Sequence, residues 1–317
     1  MDNNSLLLSI CIPTNGIVEW VVPVIDSIYA QGVDKSLFEV VITDNGDSTG
    51  LMEAVKKYKH ENFYYYKTTS KGFTNQIDAF EKCNGLFCKM LNHRSKMLPG
   101  SIVDLLNLIK KYKDTKPILY CAEGNAKGGE FVECGNADEF VRSLSYYVSW
   151  SAGTGAWRED LLDIRSKQID SSFPHTVFLF DLRKESQYVI WNKKYETMAD
   201  DAGKGGYDLF DTFAVHFLDI IRGLYDDGRI TCETFDVVRN DLFGFLTTLY
   251  KNEVILPTKH TFILKDIKHC VKVYYGTLGF WRMVFKAYLI TPYDLFLSFV
   301  IKVHEFYSRH IIVSSGN

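Results

Sequence analysis

The first apolar run of the chain, residues 6–12, is unbroken and closes on Pro13-Thr14-Asn15-Gly16. An apolar run of that length, stopped by turn formers, predicts a strand buried on both faces of a parallel sheet. Apolar residues then recur at Val21, Val24, Ile25 and Ile28, the spacing of one helix face, and Gly32 marks a stop, so residues 18–31 are expected to be helical. Pro23 falls in the first turns, where a helix tolerates it. A second strand is expected over 38–43, closed by Asp44-Asn45-Gly46, followed by a helix over 51–60 and a strand over 63–66. The alternation continues with a helix over 75–83, a strand over 86–91, a helix over 101–112 and a strand over 118–121. Such repeated alternation predicts right-handed βαβ crossovers and an α/β fold: a Rossmann-type, mostly parallel sheet with flanking helices. Ligands of such sheets lie beyond the carboxyl ends of the strands, here Thr14-Asn15, Asp44-Asn45 and Asn92-His93-Arg94.

Past Ala122 the pattern becomes loop-rich, and an aromatic and small-residue segment runs from Tyr146 to Trp157. From Gly206 onward the spacing reads as mainly helical. The expected organisation is therefore a nucleotide-binding and catalytic region over 1–205 and a helical region over 206–317.

Composition narrows the classes. The net charge of −3 gives no electrostatic footprint for nucleic acid. Seven scattered cysteines show no zinc-finger spacing, and Cys11 sits in an apolar run, which fits a reduced, cytoplasmic setting. The polar start at residues 1–5 does not read as a signal peptide. Residues 251–310 carry nine Lys or Arg against four Asp or Glu, so this segment differs from the rest. Within it Trp281, Val284, Phe285, Tyr288 and Leu289 share one helix face, with Arg282 and Lys286 on another. Two uses are open for residues 271–310: peripheral contact with the inner face of a membrane, or packing within the chain or a homodimer. The longest apolar stretch, residues 287–301, is broken by Pro292 and Asp294 and is too short to span a bilayer.

Four segments in order carry a family resemblance. They are Ser9-Ile10-Cys11-Ile12-Pro13-Thr14-Asn15, then Phe38-Glu39-Val40-Val41-Ile42-Thr43-Asp44-Asn45-Gly46-Asp47-Ser48-Thr49-Gly50, then Lys71-Gly72-Phe73-Thr74-Asn75-Gln76, and Leu98-Pro99-Gly100-Ser101. Over residues 5–105 the chain resembles the family 2 glycosyltransferases with a GT-A fold. The resemblance implies transfer of a sugar from a nucleotide-sugar donor, UDP-linked, to a saccharide or lipid-linked saccharide acceptor. It also implies an inverting reaction in bacterial surface-polysaccharide synthesis of the capsule or O-antigen type. It assigns the nucleotide to Pro13, Thr14, Asn15 and Asp44, whose carboxylate at a strand tip can accept the N3–H of uracil; Asn45, Asn75 and Arg94 are expected to join them. The alternative is that Asp44-Asn45-Gly46 is only a turn, which those residues favour anyway.

The sequence departs from the family where Asp-x-Asp usually holds Mg²⁺ or Mn²⁺. Asn92, His93 and Arg94 stand there, followed by Ser95 and Lys96. A guanidinium cannot ligate a cation but can neutralise a diphosphate through a bidentate fork. Arg94, helped by His93 or Lys96, is thus expected to do part of the metal's work. A weak metal site on His93 and Asn92, and a non-catalytic nucleotide-sugar-binding scaffold, stay open as alternatives. No other cofactor is expected. For the base that takes the acceptor proton, the resemblance points to His175, with Asp181 second and Asp138 or Glu139 third. Trp150 and Trp157 are expected either to form a sugar-stacking wall on the acceptor side or to pack a tight turn.

Overall fold

The computed structural model describes residues 6–183, 186–198, 203–256 and 259–311, with side chains as far as residue 292. The chain forms two compact units, residues 1–200 with 221–238, and residues 201–220 with 239–317. The first unit thus takes back a segment from the region expected to be wholly C-terminal.

The first unit opens with β1 (Leu8–Thr14), α1 (Val18–Tyr29), β2 (Phe38–Asp44), α2 (Gly50–Val55), β3 (Phe63–Lys67), α3 (Asn75–Glu81) and β4 (Phe87–Met90). It continues with β5 (Ser95–Met97), α4 (Ser101–Tyr112), β6 (Ile118–Cys121), β7 (Phe131–Cys134), α5 (Ala137–Leu144), β8 (Gly155–Trp157), α6 (Thr176–Phe180), β9 (Tyr188–Trp191) and β10 (Glu196–Met198). The main sheet has the order β3-β2-β1-β4-β8, parallel except for β8. The mostly parallel α/β sheet expected from the periodicity is what forms. Two smaller sheets accompany it: β6-β9-β7, and an antiparallel ribbon of β5 with β10 in which Met97 faces Glu196.

Period-two alternation puts apolar side chains on both faces of the central strands. Leu8, Ile10, Ile12, Val40, Ile42 and Phe87 project to one face, where Val21, Val24, Ile25 and Ile28 of α1 and Ile102, Leu105 and Ile109 of α4 cover them. Cys11, Val41, Cys88 and Met90 project to the other, against Ile77, Ala79 and Phe80 of α3 and Val177 and Phe178 of α6. Each of the Val, Leu, Ile, Phe and Met side chains among them removes apolar area worth about 1.5–3 kcal/mol from water. Polar side chains are buried in these strands too: Ser9 in β1, Glu39 in β2 and, in the middle of β4, Lys89, which is 1% exposed. Of the predicted helices, 101–112 forms as α4 unchanged, whereas that expected over 51–60 stops at Val55.

The second unit contains β11 (Gly205–Asp208), α7 (Leu209–Asp211), which runs through a π-helical turn into α8 (Leu218–Asp226), then α9 (Cys232–Tyr250), β12 (Thr261–Ile263) and α10 (Ile267–Ile311), with β11 and β12 pairing in parallel. The helices α8 and α9 each contribute residues to both units. Backbone at Gly276 (φ 67°) breaks α10 into two helical stretches. Among the described residues no helix is long and apolar enough to cross a membrane.

Candidate functional site

The carboxyl ends of β1, β2 and β4 lie side by side, because β1 pairs with both neighbours in parallel. Thr14 stands opposite Asp44, and the segment Asn92-His93-Arg94 follows directly after β4. Three of the expected positions are therefore brought to one edge of the sheet.

Asn75, at the start of α3, ties this edge together. Its amide donates to the carbonyls of Thr43 (2.8 Å) and Thr14 (3.2 Å), and its Oδ1 accepts from Thr68 Oγ1 (2.9 Å). Asn75 is 2% exposed, so it braces the two strand tips from below instead of meeting a ligand. Asn45 donates its backbone N–H to Thr14 O (3.0 Å) and its side-chain amide to the carbonyls of Ser70 and Gly72. Pro13 is half-buried, and Asn15 projects into solvent at the tip of β1.

Asp44 is fully buried and its carboxylate is well supplied with donors. Its Oδ1 accepts from Gly46 N (2.8 Å), and its Oδ2 accepts from the Tyr65 hydroxyl (2.6 Å) and pairs with Lys67 Nζ (3.3 Å). Lys67 also donates to the Gly46 carbonyl. Gly16, at φ 83°, lies directly over Asp44: a β-carbon there would sit 2.8 Å from Oδ1. A methyl on Gly46 would fall 1.9 Å from the Asn15 carbonyl oxygen. Asp44 thus fixes the turns that shape the edge, and a base N–H could reach it only where Tyr65 or Lys67 gives way.

Thr14 Oγ1 shares a 2.9 Å hydrogen bond with His93 Nδ1 and accepts the Gly16 N–H (3.1 Å). Burial, and then the Arg94 charge, push the His93 pKa down to about 4, so the ring is neutral at pH 7. Asn92 Oδ1 accepts the Arg94 backbone N–H (3.0 Å), closing an Asx turn. The Arg94 guanidinium lies 3.3 Å above the centre of the Trp20 ring, whose other neighbour is His93 at 5.3 Å, edge on. Arg94 is 5% exposed, so its charge stands in a site of low dielectric. Lys96 is exposed on β5 opposite Thr197.

This donor set does not fit the divalent ion that the family resemblance implies. The Asn92 oxygen is taken up in its own turn, the described His93 nitrogen is bonded to Thr14, and a guanidinium sits beside both. Among the described residues no group of three or more His, Cys, Asp or Glu is placed to hold a metal.

The residues expected on the acceptor side are placed as follows. His175 is 2% exposed, neither ring nitrogen has a hydrogen-bond partner, and burial pushes its pKa down to about 4 despite the nearby Val148 and Ser149 backbone. A ring so enclosed has no open path to an acceptor, and the deep burial of the turn before α6 is the reason. Asp181, at the end of α6, is exposed and faces Arg229 at 3.9 Å. Asp138 accepts from Thr231, and Glu139 accepts the Gly135 N–H, so both hold local structure. Trp157 is a correction: it is 1% exposed, packs edge on against Phe87 at 5.0 Å and donates its indole N–H to Pro117 O at 2.7 Å. Its place on β8 turns it into the core, so it forms no wall with Trp150, which is 39% exposed.

Sequence reasoning passed over a second cluster at the same edge. A cavity of about 220 Å³ lies between the end of β6, the residues just before β8, and β10, with Trp150, Tyr120, Glu123, Asn125 and Glu196 on its walls. Glu196 is 6% exposed; Ser95 Oγ donates to its Oε1 (3.2 Å), while Oε2 has no partner. Burial first, and then the neighbouring Glu123, push the Glu196 pKa up to about 7, against the opposing pull of Lys89. Lys89 donates to Met90 O (2.7 Å) and to Ala152 O, and its ammonium lies 5.1 Å from the centre of the Tyr195 ring. The one signal in the sequence was that lysine in an otherwise apolar strand.

No protein-family profile matches the chain, and no curated protein sequence matches it. Solved structures do. The Staphylococcus aureus protein TarS, residues 1–349 in complex with UDP-GlcNAc, superposes with a TM-score of 0.57 at 14% identity, over 78% of this chain and 76% of that one. A longer TarS structure gives a TM-score of 0.52 at 14% identity over 79% of this chain, which spans only 44% of it. The mannosyltransferase PcManGT of Pyrobaculum calidifontis, in complex with GDP-Man and Mn²⁺, gives a TM-score of 0.52 at 14% identity, over 92% of this chain and 88% of that one. The chain has the α/β fold, with its mainly parallel central sheet, of these solved structures.

Proposed function

We propose that this chain is a glycosyltransferase of the family 2, GT-A type. In this reading it moves a sugar from a UDP-linked donor to a saccharide or lipid-linked saccharide acceptor, with inversion, in the assembly of a bacterial surface polysaccharide. The observation that carries the proposal is Arg94, a nearly buried guanidinium held flat on Trp20 at the carboxyl edge of the sheet. It stands where the resemblance places an acidic metal site. A preorganised cation there stabilises the negative charge that builds on a departing nucleoside diphosphate. Pro13, Thr14, Asn15 and the turn after Asp44 then shape the nucleotide's berth, and the neutral His93 donates or accepts without adding charge. Titration calorimetry with UDP, with and without Mn²⁺, tests this: Arg94→Ala weakens UDP in both conditions, and an unchanged affinity in both overturns the reading.

The acceptor's carrier gives a role to the second unit. From 267 to 292 the chain has four Lys or Arg (Lys268, Lys272, Arg282, Lys286) and no Asp or Glu. Leu278 (82%), Phe285 (67%) and Leu289 (61%) of this helix stand largely exposed, with Trp281 and Tyr288 beside them. Apolar and aromatic side chains flanked by uncompensated cations suit the interface of an anionic bilayer. In our reading α10 brings the enzyme to a lipid-linked acceptor. The rest of the stretch singled out in the sequence, 293–310, lies outside the described side chains.

A further inference from the structure

The cavity around Glu196 belongs to the same edge of the sheet as the nucleotide site. The strand β8 runs antiparallel to β4, so the residues entering it, Ala152 and Gly153, lie at the carboxyl end of β4. An antiparallel bridge between Tyr120 and Thr154 places the end of β6 there too. The ribbon of β5 with β10 closes the third side and joins the two sites covalently: Arg94 is followed at once by Ser95, whose hydroxyl holds Glu196.

We propose that Glu196, and not His175, takes the proton from the acceptor hydroxyl, and that this cavity seats the sugar ring bearing it. The inference rests on the nucleotide-sugar reading above. Glu196 Oε2 is enclosed yet without a hydrogen-bond partner, which in a folded protein calls for a missing donor. The walls supply what a pyranose ring needs: the exposed face of Trp150 for its C–H surface, and Asn125 and Glu123 for its hydroxyls. Glu123 is held in place at a cost, with a left-handed backbone (φ 56°) and its carboxylate accepting the Tyr195 N–H at 3.1 Å. Strain of this kind gathers at binding sites.

The step balances without further reagents. The acceptor oxygen forms its bond to the anomeric carbon while the bond from that carbon to the phosphate oxygen breaks. The hydroxyl proton passes to Glu196 Oε2, and the electron pair leaves on the nucleoside diphosphate beside Arg94. The charged and titratable groups around Glu196 and its cavity include Lys89 from β4, Glu123 after β6, Cys121 at the end of β6, and Lys194 and Tyr195 just before β10. They leave it close to half ionised at neutral pH, where a general base works best.

The test uses the full chain and water as acceptor, following release of UDP from UDP-GlcNAc and of GDP from GDP-Man. Glu196→Gln keeps the size and the Ser95 contact but cannot take a proton. The expected result is a fall in release of about 100-fold or more, with nucleotide affinity unchanged. Glu196→Asp should restore part of the rate, and the wild-type rate should rise through a limb near pH 7 that Glu196→Gln lacks. Equal rates for wild type and Glu196→Gln overturn the assignment, as does a pH limb that persists in the variant. Wild-type binding of donor without release overturns it too, since a base in place acts on water. A wild type that binds neither UDP-GlcNAc nor GDP-Man sinks the nucleotide-sugar reading itself. If Glu196→Gln folds poorly, as read from its melting temperature, the pH limb of the wild type and of Glu196→Asp decides.

Discussion

Replacing Arg94 by alanine removes a nearly buried cation at the carboxyl edge where we propose the diphosphate binds, and its burial and stacking set what that should cost. The guanidinium is 5% exposed and stacked at 3.3 Å on Trp20, so it is already desolvated and oriented before any ligand arrives. Charge-assisted hydrogen bonds from such a group to a diphosphate are worth about 2–3 kcal/mol. At about 1.4 kcal/mol per tenfold, that is a loss of about 30- to 150-fold in affinity. The loss should be selective. Uridine lacks the diphosphate, so its weaker binding should change by less than about twofold, a shift under about 0.5 kcal/mol. Arg94→Lys keeps the charge but neither the fork nor the flat stack, and should fall between wild type and alanine. Calorimetry with UDP and with uridine on all three proteins makes the comparison. The same loss for both ligands would mean that Arg94 supports only the fold, and no loss for either would mean that the diphosphate lies elsewhere.

Three further outcomes follow from other parts of the molecule. Gly16→Ala forces a β-carbon to φ 83° and within 2.8 Å of Asp44 Oδ1; urea unfolding should show a loss of about 1–3 kcal/mol, with weakened UDP binding. Glu196 has its folded pKa raised, so it supports the fold at low pH, and that support is lost as pH rises through about 7. A rise from the usual glutamate range to about 7 corresponds to about 3 kcal/mol, so Glu196→Gln should match wild type near pH 4 and exceed its stability at pH 9 by up to that amount. Stability curves that run parallel across this range would contradict the buried, unpartnered carboxylate. Sedimentation with vesicles should show binding to anionic phosphatidylglycerol, weakened by salt and by Arg282→Glu with Lys286→Glu, and little binding to phosphatidylcholine alone.

The central sheet was legible because its strands are buried on both faces and so announce themselves as apolar runs closed by turn residues, as at Thr14 and Asp44. The ribbon of β5 with β10 was not. Each strand has three residues of mixed polarity, and its partner lies about a hundred positions away, so neither run length nor alternation marks it. Residues 188–191 form an apolar run of the readable kind, yet the loop-rich sequence before it hid the third sheet. The carboxyl edge was read from turn chemistry, which placed Thr14, Asp44, Asn92, His93 and Arg94 together. That chemistry could not show that Asn75 braces the strands or that Asp44 is enclosed by Tyr65 and Lys67. The choice of His175 followed a position in a motif, and burial decides against it. For Trp157 spacing left open a sugar-stacking wall with Trp150 or a packed turn, and the alternation of β8 sends it inward. Glu196 carried no local signal, because its meaning comes from Ser95, Lys89 and Glu123, which only the tertiary fold brings near.

The central claim is that the tips of β1, β2 and β4 cradle a nucleoside diphosphate whose charge Arg94 receives. A crystal structure of the chain with UDP-GlcNAc bound tests it most directly. The account predicts the uracil beside Asn15 and the turn after Asp44, the diphosphate within hydrogen-bond reach of the Arg94 guanidinium, and the sugar directed toward Glu196. A nucleotide bound away from Thr14, Asp44 and Arg94 would contradict it.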